Sequence, residues 1–163
     1  MKNILVVCAD KDLRKDVAKL LASKINCIYL DVNDLLELEI LNGGDVGLSH
    51  YQEALHEMEK HAIKRALAYK NCIISVSHDV FVANDNFRLL ANLNKIYIRI
   101  SKGYLIAKTK KDDKYKLEQE LCLFDEIDGL IKDVCDISID QDIKSVNDIC
   151  DEIISYLKQK KSH

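Results

Sequence analysis

Five short apolar runs recur along the chain, separated by longer stretches in which apolar residues follow a helical spacing. Runs that are apolar at nearly every position are typical of strands buried on both faces of a parallel sheet. The predicted strands are Asn3–Cys8, Cys27–Leu30, Cys72–Val76, Lys95–Ile100 and Asp136–Ile139. The predicted helices are Asp12–Lys24, Asn33–Leu41, Tyr51–Tyr69, Asn84–Asn92, Tyr104–Lys110, Tyr115–Leu123 and Ser145–Lys160. This alternation predicts right-handed crossovers and therefore a three-layer α/β sandwich.

Length and composition favour a single α/β domain over residues 1–163, of which 48% are hydrophobic and 31% charged. The net charge of −3 gives no general attraction to nucleic acid or to an anionic membrane, so we expect no partner of either kind. Ile4–Ala9 is too short for a signal peptide, and no apolar stretch approaches the roughly 18 residues of a membrane span. We therefore expect a cytoplasmic protein. The six cysteines contain no CxxC pair and are interpreted as reduced, buried thiols.

The turn after the first predicted strand lies where many α/β proteins bind phosphate, yet it contains no glycine. Arg14 and Lys15 supply positive charge, and Asp10, Asp12 and Asp16 cancel it. A carboxylate about 6 Å from a phosphate costs roughly 2–3 kcal/mol at an effective dielectric constant near 20. The helix N-terminus returns only about 0.3–1 kcal/mol. The turn is therefore predicted to disfavour phosphate, and the simplest role for Asp12 is to cap its own helix.

Polar residues also follow the second and third predicted strands, at the edge of the sheet where α/β proteins bind ligands. Asp31 suits either a metal ion or substrate hydroxyl, or a helix cap, and both interpretations stay open. Asn33 and Asp34 are expected to cap the next helix. Residues adjacent in sequence do not assemble a catalytic triad, so Ser77 and His78 are not expected to act in nucleophilic catalysis. They are expected to line a polar pocket.

Histidines cluster in the helical stretch after residue 50. His56 and Glu59 are three residues apart and share a helix face. The order of these residues is not His-Glu-x-x-His, so zinc is not expected. Surface histidines are the default interpretation.

Taken together, these segments resemble shikimate kinase, a small P-loop kinase related to the nucleoside monophosphate kinases. The resemblance extends from Asn3 to Leu157 and is one of framework and spacing. It rests on Ile4-Leu5-Val6-Val7, Val17–Ala22, Ile28-Tyr29-Leu30-Asp31, Leu55–Glu59, Ile73–His78, Lys95–Ile100 and Cys135–Ile139. It implies a five-stranded parallel sheet of order 2-3-1-4-5. It also implies that Asp31 lies near magnesium and that Asn33 replaces a substrate-binding aspartate.

The chain departs from this family at the residues that carry its chemistry. By the resemblance, Arg14 stands at the position of the phosphate-gripping lysine, and Lys15-Asp16 replaces a Ser-Thr pair. His56 stands where an arginine binds the substrate carboxylate, and Val76–Asp79 replaces a triple glycine. The chain contains no proline, so the Arg-x-Pro lid motif and the Arg-x-Pro-Leu-Tyr motif are absent, and residues 127–131 contain no arginine. Bidentate arginines are not replaced conservatively at such sites.

Three functional hypotheses follow. The leading one is a degenerate, non-catalytic shikimate kinase-like protein that needs no cofactor and binds a protein partner or an altered small ligand. Its ligand-binding candidates are Arg14, Lys15, Asp31, Asn33, His56, Ser77 and His78. The alternative is a divergent active kinase that uses ATP and magnesium, with Arg14 on phosphate, Asp31 organising magnesium, and Asn33 and His56 on the acceptor. The third is a receiver-like signalling module acting through Asp10 and Asp12, which requires strand order 2-1-3-4-5.

Overall fold

The sheet contains five parallel strands. The computed structural model describes residues 2–43, 50–83, 85–108 and 114–162. The strands are β1 (Ile4–Val7), β2 (Ile28–Asp31), β3 (Cys72–Val76), β4 (Asn94–Arg99) and β5 (Ile137–Asp140). Their spatial order is β2-β3-β1-β4-β5, and every pairing is parallel. The predicted strands and their predicted order are confirmed. The sheet does not have the order 2-1-3-4-5 that a receiver-like module requires, so that hypothesis is wrong.

Eight helices connect or flank these strands in the described ranges. They are α1 (Lys11–Ile25), α2 (Val32–Asn42), α3 (Tyr51–Leu67), α4 (His78–Val82), α5 (Asn86–Leu90), α6 (Lys102–Lys108), α7 (Lys114–Val134) and α8 (Val146–Lys161). The prediction of Tyr115–Leu123 was too short, because α7 continues to Val134. The single-turn α4 was not predicted, and α5 is shorter than the predicted Asn84–Asn92. Residues 84, 109 and 110 of the predicted helices lie outside the described residues.

Both faces of the sheet are covered, which explains why the strands are apolar at nearly every position. All four residues of β1 have no exposed surface. Ile4 and Val6 pack with residues of α1 and α8 on one face. Leu5 and Val7 pack with residues of α2, α3 and α7 on the other. The result is one core layer on each side of the sheet.

The cysteine prediction holds for part of the set. All six cysteines are free thiols. Cys8, Cys72 and Cys150 are buried, whereas Cys122 is exposed on α7. The prediction of burial is therefore wrong for Cys122. This residue lies on α7 and not in one of the apolar runs that form the buried strands. No helix of the described ranges combines the length and the apolar character needed to cross a bilayer.

Helix caps differ from the predictions at two of three positions. Asp10, and not Asp12, caps α1 through the Leu13 backbone N–H. Asp31, and not Asn33 or Asp34, caps α2 through the Asp34 backbone N–H. In both cases the residue with extended backbone just before the first helical turn caps the helix, as N-cap geometry requires. Ser145, the first residue of the predicted helix Ser145–Lys160, caps α8.

The cap of α8 gives a stability prediction. Ser145 Oγ accepts from the Asp148 N–H at 3.1 Å, and the Asp148 carboxylate accepts from the Ser145 N–H at 3.2 Å. Ser145→Ala removes half of this capping box, and we expect urea denaturation to reveal a loss of about 1 kcal/mol in unfolding free energy. Ser145→Asn retains a capping side chain and should stay near wild type. Equal losses in both variants would contradict the capping role.

Candidate functional site

The candidate site lies at the carboxyl edge of the sheet, where β1, β2 and β3 end. Parallel α/β sheets bind their ligands at this edge. The turn after β1 leads into α1, the end of β2 caps α2, and the end of β3 leads into α4. These three connections carry most of the predicted site residues.

Arg14 points into the protein and not toward the cleft. Its Nε donates to Asp31 Oδ2 at 3.0 Å, and its Nη1 donates to the Cys8 carbonyl oxygen at 3.3 Å. The side chains of Arg14 and Asp31 are 2% and 0% exposed. The first turn of α1, the end of β1 and the end of β2 are thus joined by one buried guanidinium.

Both carboxylate oxygens of Asp31 accept hydrogen bonds from within the chain. Oδ2 accepts from the Ser75 hydroxyl on β3 in addition to Arg14. Oδ1 accepts from the Asp34 backbone N–H at 3.1 Å. Asp31 is therefore a buried structural anion that connects β2, β3 and α1, and it is also the cap of α2. Two interpretations of Asp31 were left open, and the hydrogen bond to the Asp34 N–H supports the one in which Asp31 is a helix cap.

A carboxylate occupies the N-terminus of α1, the position that binds anions in many α/β proteins. Asp10 Oδ2 accepts from the Leu13 backbone N–H at 3.0 Å and from the Tyr104 hydroxyl of α6 at 3.1 Å. Lys108 Nζ lies 4.0 Å from the same oxygen. Burial and the neighbouring Asp10 charge both raise the pKa of Tyr104, so its hydroxyl remains a donor at neutral pH. The helix end is thus filled by the protein's own anion.

Of the other groups in this turn, Lys11 is exposed, whereas Lys15 is paired and the Cys8 thiol is neutral. Lys15 Nζ donates to Asp34 Oδ1 at 2.6 Å, and this hydrogen bond raises the pKa of Lys15. Burial raises the pKa of the Cys8 thiol to about 12, so Cys8 is not a thiolate at neutral pH. Arg14, Lys15 and Lys108 each lie against a carboxylate.

The other predicted residues form two further groups. Asn33 and Ser77 contact each other twice: Asn33 Nδ2 donates to Ser77 Oγ, and the Ser77 N–H donates to Asn33 Oδ1, both at 2.9 Å. Ser77 precedes His78, the first residue of α4. The structure thus brings Asn33 beside Ser77, and the expectation that Ser77 and His78 line a polar pocket stays a prediction.

His56 belongs to the group on α3. Its Nδ1 lies 3.8 Å from Glu59 Oε2. The Glu59 carboxylate is 7% exposed and accepts from Asn86 Nδ2 at 2.9 Å. Asn86 also donates to the Val80 carbonyl oxygen at 2.8 Å. The prediction that His56 and Glu59 share a face is confirmed, and Asn86 is a partner that the sequence alone did not indicate. No three His, Cys, Asp or Glu side chains of the described residues gather as a metal site.

A network on α7 was also missed by the sequence predictions. Arg99, the last residue of β4, makes a bidentate pair with Asp128, with distances of 3.0 Å from Nε and 2.7 Å from Nη2. The Tyr97 hydroxyl donates to Asp128 Oδ1 at 2.7 Å, and Arg99 Nη1 donates to Asp140 at 3.1 Å. Asp128 lies within the segment that contains no arginine. An acidic residue therefore stands in this part of α7 and pairs with an arginine of the sheet.

Comparisons with known proteins agree on the family. The family model "Shikimate kinase" matches residues 15–158. The chain belongs to the shikimate kinase family. Shikimate kinase of Sulfurihydrogenibium sp. (strain YO3AOP1) is 23% identical over 167 residues, covering 98% of this chain and 100% of that protein.

Solved structures of the family share the fold. Shikimate kinase from Acinetobacter baumannii in complex with shikimate has a TM-score of 0.80 at 17% identity, covering 99% of this chain and 95% of that one. Shikimate kinase from Aquifex aeolicus has a TM-score of 0.75 at 16% identity, covering 98% of each chain. Nearly the whole length of this chain therefore follows the fold of the shikimate kinase family.

The buried ion pair gives the first prediction for the site. Asp31→Asn keeps a residue that caps helices well, but it leaves the Arg14 guanidinium buried without a counter-charge. We expect unfolding free energy to fall by about 3–5 kcal/mol in urea denaturation. Asp34→Asn removes the half-exposed partner of Lys15 and should cost less than about 1 kcal/mol. Similar small losses for both variants would contradict the structural role of the pair.

The α7 network gives a pH prediction. Hydrogen bonds from Arg99 lower the pKa of Asp128 below its ordinary value of 3.8. Because the folded pKa is the lower one, Asp128 stabilises the fold fully at pH values above about 4 and loses this contribution as the pH falls through its folded pKa. Asp128→Asn should therefore cost about 2 kcal/mol near pH 7, and the difference from wild type should shrink toward pH 2–3.

The measurement is urea denaturation from about pH 2 to about pH 7. Asp125→Asn is the matched control on the same helix, because the Lys102–Asp125 pair is exposed on both sides. Asp125→Asn should show little dependence on pH. A difference between Asp128→Asn and wild type that stays constant over this range would contradict the assignment.

Proposed function

We propose that this member of the shikimate kinase family does not transfer phosphate and that its cleft binds a protein partner or an altered small ligand. The observation that carries the proposal is the buried Arg14–Asp31 pair. By the resemblance of the sequence, these residues stand at the positions of the phosphate-gripping lysine and the acidic residue near magnesium. Here they neutralise each other inside the protein, so neither presents its charge to a ligand.

The electrostatic cost of binding a nucleotide supports the proposal. Turning Arg14 toward a phosphate would leave Asp31 buried without a partner, at a cost of about 3–5 kcal/mol. Asp10 would stand near the incoming phosphate, and one carboxylate about 6 Å away costs roughly 2–3 kcal/mol. The N-terminus of α1 offers about 0.3–1 kcal/mol in return, and Asp10 already uses it. Repulsion exceeds attraction by a wide margin.

Magnesium and ATP therefore do not fit the residues at this edge. Both oxygens of Asp31 accept hydrogen bonds from the chain, and the N-terminus of α1 holds the carboxylate of Asp10.

The cleft still offers polar groups to another ligand. Asn33 and His78 are partly exposed near the end of β3, and His56 is partly exposed on α3 beside the buried carboxylate of Glu59. Amide and imidazole groups suit a ligand recognised by hydrogen bonds more than one recognised by a bidentate arginine. This chemistry favours an altered ligand or a polar protein segment over a phosphorylated one.

Isothermal titration with ATP and magnesium tests the proposal directly, with a coupled assay for ADP release in the presence of shikimate. We expect no binding in the micromolar range and no turnover, because Arg14 and Lys15 are paired within the chain and Asp10 occupies the N-terminus of α1. A shikimate kinase with normal turnover is the positive control. Micromolar binding of ATP, or ADP release that depends on shikimate, would replace the proposal with the second candidate, a divergent active kinase favoured by family membership.

A pair of variants tests the physical reason in the same titration. Asp10→Ser retains a capping hydroxyl and removes the carboxylate from the N-terminus of α1, so it should bind ATP at least about tenfold more tightly than wild type. Asp16→Ser removes an exposed carboxylate nearly two turns further along α1 and should change binding much less. Equal effects would indicate that general charge, and not the position of Asp10, excludes the nucleotide.

A further inference from the structure

A second concave site lies at the opposite edge of the sheet, where β1 and β4 begin. It is a cavity of about 410 Å³ between the ends of α1 and α8. Small-molecule sites in proteins typically have volumes of about 300–1,000 Å³. The cavity is separate from the candidate site at the carboxyl edge, so what it binds is independent of the proposed function.

The floor of this cavity is apolar. Ile25, Ile154 and Leu157 line it. All three are partly buried residues at the margin of the core layer formed by α1 and α8. Their remaining exposed surface faces the cavity and forms an apolar surface that a ligand would cover.

Four lysines surround this floor: Lys2, Lys158, Lys160 and Lys161. Within the described residues, none of their ammonium groups forms an ion pair with a side-chain carboxylate, although the whole chain carries a net charge of −3. Lys160 is held in place, because it donates to Asn94 Oδ1 and lies 6.0 Å from the centre of the Tyr156 ring. Positive charge is therefore concentrated at this cavity, although the net charge of the whole protein is negative.

Helix-end electrostatics explain only part of this arrangement. Lysines in the last turn of α8 are favourable because the C-terminal end of a helix carries partial negative charge. That effect does not account for Lys2, which precedes β1, or for the apolar floor between the lysines. The combination of an apolar floor and unpaired cations complements a molecule with an apolar body and an anionic head.

We propose that this cavity binds a small organic anion with an apolar body, such as a medium-chain carboxylate. The apolar body covers Ile25, Ile154 and Leu157, and the anionic head lies among the lysines. The site takes single molecules and not a membrane surface, because its apolar residues are partly buried and line a cavity.

Titration with octanoate tests the proposal. Binding is measured by calorimetry and by the shifts of backbone amide signals in NMR spectra. Octanoate should bind saturably, with the largest shifts near residues 25, 94 and 154–161. Acetate, which lacks the apolar body, and 1-octanol, which lacks the charge, should each bind at least about tenfold more weakly. Equal binding of acetate and octanoate would mean an adventitious ion only and would overturn the proposal, as would shifts that map to another surface.

Variants and vesicles complete the test. The double variant Lys158→Gln and Lys161→Gln should weaken octanoate binding by about fivefold or more, because it removes two exposed charges and leaves the core untouched. Lys64→Gln, at the end of α3, is the matched control and should bind octanoate like wild type. Unchanged binding in the double variant would overturn the proposal. Binding to phosphatidylglycerol vesicles that octanoate does not displace would also overturn it, in favour of a membrane surface.

Discussion

The buried pair of Arg14 and Asp31 is the interaction on which the carboxyl edge of the sheet depends. Arg14 reaches from α1 to the end of β1 through the Cys8 carbonyl oxygen and to β2 through Asp31. Asp31 reaches β3 through the Ser75 hydroxyl and caps α2. Two buried charges cost several kcal/mol each to desolvate, so each requires the other. A pair of this kind stabilises the arrangement only while neither group is drawn toward a ligand.

The strands and their order were predictable because of one physical regularity. β1 and β3 lie in the middle of the sheet with helices on both faces, so every position of Ile4–Val7 and Cys72–Val76 is buried. Such runs are visible in the sequence without any knowledge of tertiary contacts. The length of α7 was not visible in this way, because Lys114–Val134 has few buried positions and carries charges on several sides. Its apolar spacing is therefore interrupted.

The members of the site were easier to predict than their contacts. Arg14, Asp31, Asn33 and Ser77 stood out in the sequence because polar residues at strand ends are informative. The partner that each one contacts depends on the tertiary fold: the Tyr104 hydroxyl lies 94 residues from Asp10, and Ser77 lies 44 residues from Asn33. Capping followed the same rule on a smaller scale, because only backbone geometry distinguishes Asp10 from Asp12 as the cap.

The two edges of the sheet differ in how their positive charges are used. At the carboxyl edge, Arg14, Lys15 and Lys108 each lie against a carboxylate of the same chain, which weakens the attraction of these three groups for an anion. At the amino edge, the lysines that line the apolar cavity form no ion pair with a side-chain carboxylate of the described residues. Charge neutralised inside a fold stabilises that fold, whereas unpaired charge beside a cavity is available to a ligand. By this criterion, the anion site that we propose lies at the edge opposite the one where α/β proteins bind their ligands.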